Sequence, residues 1–425
     1  MFMERFLKKM KILLGDRQLR KRLLFIAGIF IMYRLLSSIP IPGVDTAALS
    51  TYLGGNQFLG VLNIFSGGAL STLSIVMLGV GPYITASIIM QLLTVMSPKI
   101  KEMYHQDGEI GRKRFQKISR YLTVPIAAVQ GFGFLQLLSS QGVINFTSPG
   151  ALLINIIIIV AGAMLITWLG ELISEFGFSN GVSLLIFAGL VALLPAAIQQ
   201  LIFLYEPSQI VTYVLFALGS VVLVAGIIYI TEAERPVPVV YAKQARGGQT
   251  YGGTQTYIPL RINMAGVMPL IFAISILLFP TLIANFLINA DSPNLINAGN
   301  VITRLMNNGW FYSILYFVLV VLFTYFYTSI TFDPNAMASN LQKSGAFIPG
   351  VRPGKSTEDY IANIVSRITL VGALFLAVIA VIPVILQSVT GVQSFGIGGT
   401  GLLIVVAVII DFVKKIDAQV SMREY

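Results

Sequence analysis

The stretch Asn56-Gln57-Phe58-Leu59-Gly60-Val61-Leu62-Asn63-Ile64-Phe65-Ser66-Gly67-Gly68, running on through Ala69 to Leu93, decides the fold, because its hydrophobic pattern starts, breaks and starts again. As a helix, Phe58–Phe65 would span roughly 12 Å, against roughly 30 Å of bilayer hydrocarbon. Ser66-Gly67-Gly68 interrupts it, and a segment of full spanning length follows from Leu73 to Met96, with Pro82 near its start. Backbone at membrane depth must satisfy its polar groups internally or line a cavity that does so. A short half-segment beside a full one therefore points to a pathway through the protein, not a plain anchor.

The rest of the chain fits a membrane setting. Of 425 residues, 56% are hydrophobic and only 11% charged, and the mean hydropathy is +0.83. These values belong to integral membrane proteins. Cysteine is absent, which excludes disulfides, thiolate metal sites and cysteine nucleophiles. The single histidine, His105, sits in a charged link and leaves almost no material for zinc or a His-based triad. The net charge of +10 records topology and contact with acidic lipid or partners. Met1–Arg22 is basic, with Phe2, Phe6, Met10 and Leu13 at helical spacing, and reads as an amphipathic surface helix, not a cleavable signal.

Apolar runs predict spans at 23–38, 73–96, 121–138, 152–172 and 182–204, then 210–230, 264–288, 311–330, 368–387 and 395–413. The arm, the links 97–120, 231–263 and 331–367, and the tail from Lys414 hold all 28 Lys and Arg except Arg34 and Arg304. Both termini are therefore expected in the cytoplasm. An all-α, polytopic protein of ten transmembrane helices divides into an N-terminal half, 1–205, and a C-terminal half, 206–425. With five helices each, the halves form an inverted pseudo-repeat. Gly79-Val80-Gly81-Pro82-Tyr83-Ile84 and Gly266-Val267-Met268-Pro269-Leu270-Ile271 share G-V-x-P-x-I across the two halves. Two cytoplasmic links are long. In the first, β-like runs 237–241 and 254–260 predict a hairpin. The second holds the turn Pro349-Gly350-Val351-Arg352-Pro353-Gly354. Both read as docking surfaces.

Ion-coupled transporters carry acidic or histidine residues mid-span, and none is centrally placed here. Glu171, Asp333 and Asp411 fall at cytoplasmic ends, and Glu206 and Asp291 in external links. No H-E-x-x-H motif and no nucleotide-binding loop is present. The presumed interior is instead polar and uncharged, with Thr85, Ser87, Gln91 and Thr94 on the second span and Asn263 and Ser275 on the seventh. Ile84 and Ile88 lie one helical turn apart. By spacing alone they read most simply as lipid-facing, and alternatively as a hydrophobic constriction that gates a pore. A small-solute transporter and an intramembrane enzyme remain as competing classes at this point.

Five segments then resemble one family, the SecY family of channel subunits of the bacterial Sec protein translocon. They are Pro82-Tyr83-Ile84-Thr85-Ala86-Ser87-Ile88-Ile89-Met90-Gln91-Leu92-Leu93, Trp168-Leu169-Gly170-Glu171 with 179–189, Asn263–Pro269, Gly345–Gly354 and Gly398–Val406, in the family's order. The resemblance implies a non-enzymatic, protein-conducting channel in the plasma membrane, without cofactor or metal. Unfolded preproteins cross it, and apolar signal segments leave sideways into lipid. It implies a plug half-helix at Phe58, Leu59, Val61, Leu62, Ile64 and Phe65 with Gly67 and Gly68. It places a pore ring at Ile84, Ile88, Ile186, Ile271 and Ile404, which reverses the lipid-facing reading. A lateral gate is implied between the second and seventh helices, with Ser87, Gln91, Thr94 and Ser275. Docking of the SecA ATPase or the ribosome falls to Lys243, Arg246, Arg352 and Lys355, and SecE and SecG are the implied companions. The hairpin link is less basic than the family pattern.

Overall fold

Apolar stretches in a bilayer must close their backbone hydrogen bonds within themselves, and helices do this segment by segment. The structure, a computed structural model, describes residues 15–42, 49, 63, 66–105, 108–140, 142–144, 148–178, 180–203, 210–241, 244–246, 249–251, 255–288, 292–390 and 393–424. Helix α1 (Arg17–Ser37) opens on Asp16, whose carboxylate accepts from the amides of Gln18 at 2.7 Å and Leu19 at 3.1 Å. Arg17–Arg22 thus belong to the first long helix and not to a separate surface helix; the remainder of that expected segment, residues 1–14, lies outside the described residues. Then come α2 (Gly81–Met96), α3 (Pro98–His105), α4 (Gly108–Ser140), α5 (Pro149–Phe176), α6 (Gly181–Phe203) and α7 (Ile210–Glu232). After a β-hairpin, the chain continues through α8 (Met268–Ile288), α9 (Pro293–Met306), α10 (Gly309–Thr331), α11 (Pro334–Lys343), α12 (Lys355–Thr390) and α13 (Gln393–Glu424).

Among the described residues, α4, α5, α8, α10 with its run into α11, and α12 are long and apolar enough to cross a membrane. Two further apolar helical stretches, 181–193 of α6 and 217–232 of α7, are shorter. Helices α2 and α3 meet at a bend of 114°.

The expected continuous span 73–96 is corrected. Helix begins only at Gly81, and residues 66–80 form successive turns, with Leu73 in the left-handed region at φ 41°. Nonlocal pairing stabilises this irregular backbone. Ile41 N–H donates to Leu73 C=O at 2.9 Å and Ile75 N–H to Ile39 C=O at 3.0 Å, while Pro40 and Ser74 form a bridge. The Ile75 carbonyl lies in a notch made by Gly162 of α5, where a Cβ would approach to 1.9 Å. No side chain fits there.

One large buried cluster unites the molecule. It draws Tyr33 from α1, Ile166 from α5, Leu185 from α6, Phe272 from α8, Tyr316 from α10, Ala377 from α12 and Val408 from α13. Helices α2 and α8 pack together, as do α6 and α13, so both parts of the chain share this core. A smaller cluster lies around Leu70, Leu73, Leu135 and Ile159.

The two long links form one unit. Strand β1 (Glu234–Tyr241) pairs antiparallel with β4 (Gln255–Arg261), Val237 opposite Ile258. Short β2 (Gln244–Arg246) and β3 (Gln249–Tyr251) make the distal hairpin. Strand β5 (Ala346–Phe347), from the second link, pairs with the other edge of β1, so the sheet order is β4-β1-β5. Beneath it Val237, Val239, Leu260, Ile348, Ile361 and Val365 form a separate apolar core.

Candidate functional site

The isoleucines at 84, 88, 186, 271 and 404 come from α2, α6, α8 and α13, and each is at most 5% exposed. All five belong to the same buried cluster. Spacing along one helix does not reveal this, because isoleucine suits a lipid face and a protein interior equally. The fold brings the four helices together and buries these side chains in their shared interior.

Beside them lies the break Ser66-Gly67-Gly68. Tyr33 of α1 donates its hydroxyl hydrogen to the Ser66 carbonyl at 2.7 Å. Ser66 Oγ in turn donates to Asn63 C=O at 3.0 Å and accepts from Leu70 N–H at 3.1 Å. Gly67 and Gly68 take φ of 65° and 82°, which favours glycine at both. Gly67 meets Gly189 of α6 backbone to backbone. A Cβ on Gly67 would come to 2.6 Å from Gly189 Cα, and one on Gly189 to 2.4 Å from Gly67 Cα. Gly68 rests against Leu193. Gly189 is three residues beyond Ile186, so the break is seated about one helical turn from the isoleucine cluster. Tyr33, Gly189 and Leu193 were not singled out from the sequence for this contact, because it joins segments far apart in the chain. Phe58, Leu59, Val61, Leu62, Ile64 and Phe65 lie outside the described residues.

On the α2–α8 seam the expected polar residues behave differently from one another. Thr94 Oγ1 donates to Gln91 C=O at 2.6 Å and Ser275 Oγ to Ile271 C=O at 2.9 Å, both within their own helices. Ser87 is half-buried. Thr85, on another face, accepts from Gln130 of α4 at 3.4 Å. The side-chain carbonyl oxygens of Gln91 and Asn263 are buried without a hydrogen-bond partner among the described residues. Such an orphan acceptor costs about 1–3 kcal/mol.

Charged groups stay at the margins. Glu171 accepts from Arg120 Nε at 3.0 Å, Asp333 caps α11, and Asp411 pairs with Lys415 at 2.8 Å. Among the described residues no group of three or more metal-ligating side chains gathers. In the joined links, Arg352 and Lys355 are exposed, and the Arg352 carbonyl is fixed by Thr357 Oγ1 at 2.9 Å. Arg246 lies in the distal strand β2, and Lys243 lies outside the described residues.

The SecY family model matches residues 74–413. Protein translocase subunit SecY of Synechocystis sp. is 38% identical over 415 residues, covering 96% of this chain and 93% of that protein. The subunit of the same name from Haemophilus influenzae is 39% identical over 420 residues, covering 97% and 94%. A solved structure of a protein-conducting channel superposes with a TM-score of 0.62 at 19% identity, over 92% of this chain and 90% of that one. Sec61 in a canine ribosome–channel complex from the endoplasmic reticulum gives 0.58 at 18% identity, over 92% and 90%. These two support the fold, and the sequence matches carry the assignment: the chain belongs to the SecY family, membrane-embedded subunits of the protein translocation channel and not enzymes.

Proposed function

We propose that the five isoleucines form the constriction of a channel for unfolded polypeptide, sealed from one side by the segment that begins at Phe58 and is seated at Ser66–Gly68. The observation that carries this reading is the convergence of Ile84, Ile88, Ile186, Ile271 and Ile404 in one buried cluster, one helical turn from the Gly67–Gly189 contact. Aliphatic side chains touch any passing residue without preference and yield reversibly. They also disfavour ordered water and ions, so a closed ring resists leak by dewetting.

In this reading the two halves, 1–205 and 206–425, are an inverted pair of five helices each, and α2 and α8 are the lateral gate between them. Ser87, Gln91, Thr94 and Ser275 lie along that gate in this reading, and Gln91, whose side-chain oxygen has no partner among the described residues, is a weak point of the seam. An apolar signal segment then leaves into lipid by transfer free energy, about 25 cal/mol per Å² of apolar surface. Translocation is driven from outside the chain, by the SecA ATPase or a ribosome engaging Arg352, Lys355, Arg246 and Lys243. SecE and SecG complete the assembly in the plasma membrane, with both termini in the cytoplasm.

The direct test replaces Ile84, Ile88 and Ile271 together with serine and measures resting ion conductance of the reconstituted channel. The constriction requires a raised leak. Unchanged conductance would refute it.

A further inference from the structure

Helix α9 follows α8, on the face opposite the Lys/Arg-rich links, and carries three stripes at helical spacing. Ile296, Gly299, Thr303 and Met306 make the first, of which Gly299 is buried and the others half-buried. This stripe packs on α8. A Cβ on Gly299 would lie 2.7 Å from Ile288 Cγ1 and 2.8 Å from Ala284 C=O, so the two helices meet at closer range than any side chain permits. Asn297, Asn300 and Arg304 form a second stripe, wholly polar and exposed. The third is apolar and uncovered: Leu295 is 44% exposed and Leu305 42%, with Val301 beside them at 56%.

Taking α9 in projection at about 100° per residue, Leu295 and Leu305 border the packed stripe on one side and Asn300 and Arg304 on the other, and Val301 falls between Leu305 and Asn297. A helix clasped sideways to α8 at a membrane boundary has this arrangement, one flank toward water and the other toward acyl chains. The neighbouring helices also expose apolar residues, Ile283 of α8 and Trp310, Phe311 and Ile314 at the start of α10. Tryptophan such as Trp310 is enriched at bilayer interfaces.

From this geometry we infer that α9 is an interfacial helix whose occupant is the phospholipid of the outer leaflet. Acyl chains cover Leu295, Val301 and Leu305, and Arg304 meets the phosphate layer. The inference rests on the reading that α8 spans the membrane.

The test uses the native absence of cysteine. Single cysteines at Leu295, Asn297, Asn300, Leu305 and, as reference, Ile283 are nitroxide-labelled in the full chain. The protein is reconstituted in phosphatidylethanolamine–phosphatidylglycerol vesicles, and power saturation compares oxygen with a water-soluble nickel chelate. Labels at Leu295 and Leu305 are expected to favour oxygen several-fold over those at Asn297 and Asn300. If all four α9 labels favour the nickel chelate while Ile283 favours oxygen, the lipid assignment is wrong and the α8 span stands. If Ile283 also favours the chelate, both fall. Protection of Leu295 and Leu305 from both reagents would assign the stripe to a protein partner and overturn the inference.

Discussion

At residue scale the decisive contact is between two glycines. Gly67 and Gly189 touch through their backbones because neither carries a Cβ, and Tyr33 adds one hydrogen bond to the Ser66 carbonyl beside them. Gly189→Ala has to push the segment off α6, at a cost of about 1–3 kcal/mol for overpacking. That shifts a closed–open balance by on the order of ten- to a hundred-fold. Single-channel recording in planar bilayers is therefore expected to show a higher resting open probability. Tyr33→Phe removes only the hydrogen bond, about 0.5–1.5 kcal/mol, and is expected to produce the same effect more weakly. The opposite ranking would show that the hydroxyl, not the glycine contact, holds the seat. Gly189 and Tyr33 escape a reading of the sequence as partners of this break, because the contact joins segments far apart in the chain. The isoleucines pose the same difficulty: spacing alone does not separate Ile186 and Ile404, which the family resemblance singles out and the structure buries, from exposed isoleucines such as Ile157 at 58%.

At the scale of elements, legibility tracks locality. Apolar runs define helices such as 149–176 and 309–331 because every hydrogen bond in them closes within the run. The strands β1 and β4 are legible from their β-branched and aromatic residues. Residues 73–80 are apolar enough to read as helix, and the turns they adopt depend on Ile39, Ile41 and Gly162, all distant in sequence. Strand β5 is only two residues long and is defined by its partner. Its pairing makes the two links one body, which can be tested. Val239 is 1% exposed in the core under the sheet. Val239→Asp buries an unpaired carboxylate at about 3 kcal/mol or more. Limited proteolysis is expected to become faster in both links, 234–261 and 344–354, while fragments containing α4 and α5 persist. Cleavage accelerated in the first link alone would contradict a shared core.

For the whole molecule, the proposed constriction, seal and cytoplasmic platform divide the labour, and mutation is expected to separate them. Arg352 is exposed on the platform, far along the chain from the isoleucines. Arg352→Glu is expected to lower ATP-driven export of a preprotein by tenfold or more while resting conductance stays at the wild-type level. A parallel rise in leak would mean that the platform holds the channel shut. In contrast, a disulfide formed from a cysteine introduced at Phe65 to one near the isoleucine ring is expected to block export and to restore it on reduction. Export that continues under oxidation would remove Phe58–Phe65 from the moving parts.

The most direct measurement is site-specific photocrosslinking of a stalled secretory chain. Probes at Ile84, Ile186, Ile271 and Ile404, one at a time, are expected to capture the same short stretch of the translocating polypeptide, and probes at Ile157 and Val222 to capture lipid alone. Capture at Ile157 or Val222 with none at Ile84 would contradict a conduit through the shared isoleucine cluster.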